Sequence, residues 1–401
     1  MILFILVILG FAFYVMSREE RGRFIRAALV VIRRWKDVAT RHWPAREPYR
    51  DALQTRTPWA LVTPALVGLN VAIFVCMLFG AGALSDPETL VAWGGNFGPR
   101  TTNGEWWRLV AATFVHSGML QLLVNVAGLV QVGLVLERLV GHFAFAAVYV
   151  AAGLLASLVS LATHPVIVSV GASGAIFGAY GLLLASLIWN MRHRSAVTIP
   201  LTAVKTLGPA AAVFILYNVA TDSPERAAEL TGLAVGLISG LVLTRGVSAR
   251  KPPARQIAAV MAAAVAIAVA SAIPLRGLID VRPEIARVVA VEDRTASAYE
   301  TAVDAFRNGR ITADALAQLI DRTIMPELRA VRARLKALDR VPGEHQPLVA
   351  SAEEYFRLRN ESWRLRSEAL HKGNTLKLRE ADRTERASLD AFQMIKPHDQ
   401  K

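Results

Sequence analysis

Apolar runs of about twenty residues, separated by short basic segments, constrain this chain more than any other feature. A run of that length matches the ~30 Å hydrocarbon core of a bilayer, and within it only helices or closed barrels satisfy their own backbone. Such runs fall at 2–16, 58–80, 116–136, 142–162, 172–190, 198–219, 228–244 and 256–273, which gives an expected eight spans. A hydrophobic content of 54% and a mean hydropathy of +0.38 exclude an ordinary soluble domain. The fold class expected is an all-α polytopic membrane protein.

The formal charge of +13 invites a nucleic-acid reading, but the lysines and arginines sit between apolar runs, as the positive-inside rule requires. No nucleic-acid partner is expected; the lipid bilayer is. The run 2–16 has no basic residue ahead of it and no small-residue cleavage site behind, so it reads as an anchor. The basic stretch Arg18–Arg56, with Trp35, Trp43 and Tyr49 interleaved, suits a cytoplasmic surface facing anionic headgroups. Alternating the spans from there puts Arg138, Arg192, Arg194, Arg245, Arg250, Lys251 and Arg255 on the cytoplasmic side and the acidic Thr221–Glu225 loop outside. The expected location is a bacterial inner (plasma) membrane. Cys76 is the single cysteine, so no intrachain disulfide or cysteine metal site forms, and no cofactor or metal motif is present.

Four segments follow. Residues 1–57 are the anchor and basic juxtamembrane stretch, 58–246 the core, 247–275 a linker with an extra span, and 276–401 a helical extramembrane domain. In the last, Leu316, Ile320, Ile324, Leu328, Val331, Leu335 and Leu338 recur at three- and four-residue steps, with Pro326 as an expected kink. That domain is expected to bind protein or to self-associate. The loop 82–115, with Trp93, Trp106, Trp107 and Arg108, is too aromatic to be only a solvated connector and is expected to pack on the helices.

Polar groups inside apolar runs are functional hypotheses by default. Ser173 begins the fourth core span within Gly171-Ala172-Ser173-Gly174, and glycines there and at Gly178 and Gly181 allow a sharp turn and close helix approach. It is the candidate nucleophile. Gln121 and Asn125, four apart, share a helix face and could together hold an oxyanion; they read equally as hydrogen-bonding glue between helices. His116, at the start of their span, either joins that site or braces the long loop.

In order, Gly104-Glu105-Trp106-Trp107-Arg108, Phe114-Val115-His116-Ser117-Gly118, Asn125, Leu136-Glu137-Arg138-Leu139-Val140-Gly141 and Gly171-Ala172-Ser173-Gly174 resemble the rhomboid family of intramembrane serine proteases. The resemblance covers about 58–246 and includes Gly232, Gly236 and Gly240. It implies a six-helix core, Ser173 as nucleophile, Asn125 and the Ser173 amide at an oxyanion hole, and a transmembrane protein as substrate or client. Two positions depart from the pattern. Gln121 stands at a usual histidine, and Glu229 stands where the resemblance places the catalytic histidine, with Thr231 for a glycine beyond it. No histidine lies between His193 and His345, and Phe177 matches the aromatic on which that histidine would stack.

A serine hydroxyl needs a base, and removing the histidine of a soluble serine-protease triad costs on the order of 10⁶ in turnover. Carboxylates in apolar surroundings can act as bases near neutral pH. Glu229 is open to that role, or to exposure at the helix end or pairing with Arg226. His164, in the loop before Ser173, is a second candidate base, though beside Pro165 it also reads as solvated. The alternatives are therefore a serine endopeptidase with an altered dyad and an inactive pseudoprotease that binds membrane clients.

Overall fold

The computed structural model describes residues 47–80, 83–192, 201–220, 225–244 and 251–395. The expected anchor at 2–16 and most of the basic segment after it lie outside them. Among the described residues the architecture is all-helical, with one isolated antiparallel bridge between Asn96 and Ser169. The chain divides into two compact units, Met1–Arg276 and Gly277–Lys401.

In the first unit, α1 (Glu47–Arg56) precedes α2 (Val62–Phe79). Three short helices follow, α3 (Pro87–Ala92), α4 (Gly98–Thr101) and α5 (Arg108–Ala111). The long helices are then α6 (Met119–Val140), α7 (His142–Thr163), α8 (Ser173–Arg192), α9 (Leu201–Ala220), α10 (Arg226–Leu243) and α11 (Ala254–Ala272). Six helices among the described residues are long and apolar enough to cross a membrane: α2, α6, α7, α8, α10 and Ala254–Leu275. This is an integral, multi-pass membrane protein. The expected span at 198–219 corresponds to α9, whose apolar stretch is Ala211–Ala220. The expected 116–136 span begins later, at Met119, so His116 precedes the helix, which ends at Gly141 with φ +93°.

The unit is built around α8, which packs most extensively on α10 and also against α7 and α6. Glycine makes the first contact possible. A Cβ at Gly232 would overlap the Gly174 carbonyl, and one at Gly236 would overlap the Gly178 carbonyl. The two backbones touch directly along both stripes, the packing that small residues permit where lipid supplies no hydrophobic drive.

A second constraint comes from Glu137, which is fully buried on α6. Its carboxylate accepts from the amides of Leu61 (2.6 Å), Val62 (2.7 Å) and Thr63 (2.8 Å) and contacts His142 Nδ1 at 2.5 Å. The first N–H groups of α2 have no partner within their own helix, and a negative charge there also meets the helix dipole. Glu137 thus ties α2 to the end of α6.

The aromatic loop packs as expected. Trp93 lies against Met77, Leu90 and Val115, and Trp106 against residues of α7 and α11.

In the second unit, α12 (Arg282–Arg307), α13 (Ala313–Leu319), α14 (Met325–Lys336), α15 (Gln346–Lys372) and α16 (Thr375–Gln393) enclose a separate core. Leu316, Ile320, Ile324, Leu328, Val331 and Leu335 are all buried there, and Leu338 is half-buried against them. The break expected at Pro326 takes the form of a π-helical turn, Ile320–Ile324, after which Pro326 sits in the first turn of α14, where its missing N–H costs nothing.

Candidate active site

Ser173 is the first residue of α8, and the loop before it is fastened on three sides. Asn96 and Ser169 exchange backbone hydrogen bonds of 3.0 and 2.9 Å, Gly98 N donates to Pro165 O at 2.8 Å, and Gly171 N donates to Ala112 O at 2.9 Å. Gly171 has φ +122°, a conformation that favours glycine, and this turn aims the chain into the helix. The first amides of α8 remain without helical partners and point toward whatever lies at its N-terminus.

Across from Ser173 stands α10. The Gly174–Gly232 contact fixes the register, so the residue one turn before Gly232 faces the residue before Gly174. That places the Glu229 carboxylate beside the Ser173 hydroxyl, with the charges of Glu225 and Arg226 also acting on it. Glu229 is only 6% exposed. The open reading in which it points to water at the helix end does not hold.

The other expected site residues divide. Asn125 is buried, its Oδ1 makes no hydrogen bond, and its Nδ2 would lie 3.8 Å from a Cβ at Gly171. Gln121 is engaged: its Nε2 donates to Val170 O at 3.0 Å, and its Oε1 accepts from Ser117 N at 2.8 Å and Ser117 Oγ at 3.0 Å. It therefore fastens the loop before Ser173, and only the second amide hydrogen is left to point elsewhere. His116 is fully buried, with Nδ1 3.3 Å from Phe114 O and Nε2 without a partner. Burial pushes its pKa down to about 4, so the ring is neutral at pH 7. His164 Nδ1 lies 3.0 Å from Thr163 Oγ1. Phe177 packs at a tilt of 51° against Phe214 of α9, with centroids 5.1 Å apart.

Arg108 is 5% exposed and holds the aromatic loop. It donates to Glu105 from Nε at 2.6 Å, to Gly95 O at 3.2 Å and to Val91 O, while Trp107 is 55% exposed and lies beside the guanidinium. Glu105, held by this partner, has its carboxyl below the usual range.

Beside Ser173 lies a cavity of about 20 Å³, lined by Thr113, Gly153, Ala156, Ser157, Ser169 and Glu225, among others. It has room for about one water. Glu225 was not singled out from sequence. It holds the N-cap position of α10 without a side-chain capping bond, accepts from Ser160 Oγ at 2.8 Å and stands one turn before Glu229. The four-residue spacing of the two glutamates was the available signal.

A serine at a helix N-terminus, flanked by glycines, beside a small cavity and facing a polar residue across a glycine seam, agrees with a family match: residues 103–246 match the Rhomboid domain. The chain carries a rhomboid domain. It is 31% identical over 208 residues to the Rhomboid protease GluP of Bacillus subtilis, covering 51% of this chain and 39% of that one. It is 36% identical to RHOMBOID-like protein 5 of Arabidopsis thaliana, covering 35% and 45%, and 31% identical to the Rhomboid protease AarA of Providencia stuartii, covering 33% and 51%. The chain spans about half the length of these relatives, or less. The rhomboid match ends at residue 246, so α11 and the second unit lie beyond it.

Proposed function

We propose that this protein is an intramembrane serine endopeptidase in which Glu229 does the work of the missing histidine. The observation that carries the reading is the buried Glu229 carboxylate beside the Ser173 hydroxyl. In this scheme Glu229 takes the Ser173 proton as Oγ attacks the carbonyl carbon of a transmembrane substrate. The oxyanion is met by the first amides of α8 and by the Asn125 amide. The protonated Glu229 then returns the proton to the leaving amine, and water cleaves the ester that remains, with Glu229 again as base.

The domains read from the sequence stand within this proposal: a membrane core at 58–246, an extra span, and an extramembrane unit from 276 that binds protein or another copy. The basic loops are cytoplasmic, in a bacterial plasma membrane.

A second reading is a pseudoprotease that binds membrane clients. It is favoured by one observation: the histidines nearest in the loops, His116 and His164, are hydrogen-bonded to Phe114 O and Thr163 Oγ1 rather than to Ser173. A fluorophosphonate probe on the full chain in liposomes separates the two. Labelling lost in Ser173→Ala and in Glu229→Gln supports the peptidase. No labelling of folded wild-type protein between about pH 4 and 9 supports the binding protein.

A further inference from the structure

Two helices of the second unit lie side by side without filling the space between them. Along α12, Arg287, Ala290, Val291 and Arg294 share one face, and along α14 the same spacing groups Glu327, Ala330, Val331 and Arg334. These two stripes line a groove of about 310 Å³. At one end Arg294 Nη2 donates to Glu327 Oε2 at 2.8 Å. Because both stripes face one groove, that bond sets the helices antiparallel and brings Arg287 and Arg334 to the other end. Val291 and Val331 form a buried floor, beside which Ala290 and Ala330 are exposed.

The charges around the groove are unbalanced. On α15, Arg357, Arg359, Arg364 and Arg366 each pair with a carboxylate. On α14, Arg329, Arg332, Arg334 and Lys336 have no carboxylate partner among the described residues, and Glu327 is the one acid of that helix. Arg287 is paired with Glu284 on its own helix and Arg294 with Glu327, so Arg334 is the unmatched cation on the rim.

We propose that this groove docks an acidic amphipathic helix of a partner protein, with its apolar residues on Val291 and Val331 and a carboxylate on Arg334. This gives the protein-binding reading of the second unit a site and a partner chemistry, and it is independent of the peptidase reading. Apolar residues at three- and four-residue steps on a docked helix match the steps of the two walls. Alanine at 290 and 330 lets its backbone come close. The headgroups of a flat bilayer reach the arginines but leave the apolar floor uncovered.

The test uses the full chain in phosphatidylcholine nanodiscs and a fluorescent helical peptide with leucine at three- and four-residue steps and glutamate elsewhere, read by anisotropy. Saturable binding is expected, with the lysine version of the peptide at least about tenfold weaker. Arg334→Glu is expected to weaken the glutamate peptide by about tenfold or more, and Arg329→Glu, the same charge change off the groove, by less than about threefold. Ala330→Trp, which fills the groove and leaves the charge alone, is expected to weaken it as well. All three positions are exposed, so the fold tolerates the changes. Equal binding of the two peptides, equal losses from Arg329→Glu and Arg334→Glu, or no saturable binding overturns the proposal. So does protection of 325–336 against hydrogen exchange when phosphatidylglycerol replaces phosphatidylcholine with no peptide present, which gives the arginines to lipid headgroups. Binding that Arg334→Glu and Ala330→Trp both leave unchanged overturns the groove while the unit remains a protein binder. Probe labelling of Ser173 in the same discs reports the peptidase reading separately.

Discussion

Gly232 meets the Gly174 carbonyl with no room for a Cβ between them, and Gly236 meets Gly178 in the same way one turn on. The position of Glu229 opposite Ser173 is a consequence of that register. Gly236→Ala is expected to push α10 from α8, costing about 1–3 kcal/mol or more because the obstacle is backbone. Thermal unfolding in detergent should fall accordingly, and probe labelling of Ser173 should be lost. Gly208→Ala, which has open space around it, is the control expected to change neither.

The dyad makes an asymmetric prediction. Glu229→Gln keeps size and hydrogen bonding but accepts no proton, and is expected to lower kcat by at least about 10³ with little change in KM. Glu229→His supplies a base suited to neutral pH and is expected to keep or raise activity. Substrate cleavage measured as separate kcat and KM checks both.

His116 predicts acid sensitivity. Its folded pKa of about 4 lies below the ordinary 6.5, so protons bind the unfolded chain better. The stability it contributes is therefore present above about pH 6.5, declines as pH falls, and is gone below about 4. The full change is about 3 kcal/mol. Comparing unfolding midpoints at pH 7 and pH 4.5 for wild type and His116→Phe checks this. The variant should show a clearly smaller drop.

Arg108 anchors a loop by bonding two of its carbonyls and Glu105. Arg108→Ala leaves those carbonyls without a donor, at an expected cost of about 1–3 kcal/mol. Limited proteolysis should cut within 91–108 faster than in wild type.

In the second unit Arg359 is 2% exposed and bonds Glu292 (2.5 Å) and Glu385 (2.7 Å), with its guanidinium 4.6 Å from the Trp363 ring centroid. Arg359→Met strands the Glu292 charge and is expected to cost about 3–5 kcal/mol. Adding Glu292→Leu should recover part of the loss. Protease resistance of 277–395 in the full chain reports both.

The sequence by itself determined the membrane class, Ser173, the loop that holds it and the small-residue stripe, because span length, glycine spacing and helical periodicity are local properties. It also set the second unit's apolar repeat, whose residues from Leu316 to Leu335 are buried as their spacing requires. Glu229 could be named from the sequence, yet whether it faced water, Arg226 or Ser173 depended on how α8 and α10 slide against each other. In the fold its carboxylate is buried, with the Arg226 charge and the Ser173 hydroxyl both acting on it. For Gln121 the sequence left an oxyanion donor and hydrogen-bonding glue both open, and in the fold its Nε2 donates to the Val170 carbonyl at 3.0 Å. Glu137, Arg108 and Glu225 take their partners from segments distant in sequence: the amides of α2, the carbonyls of Val91 and Gly95, and Ser160 of α7. A buried charge has to find such partners, and only the folded chain shows which groups are left to supply them.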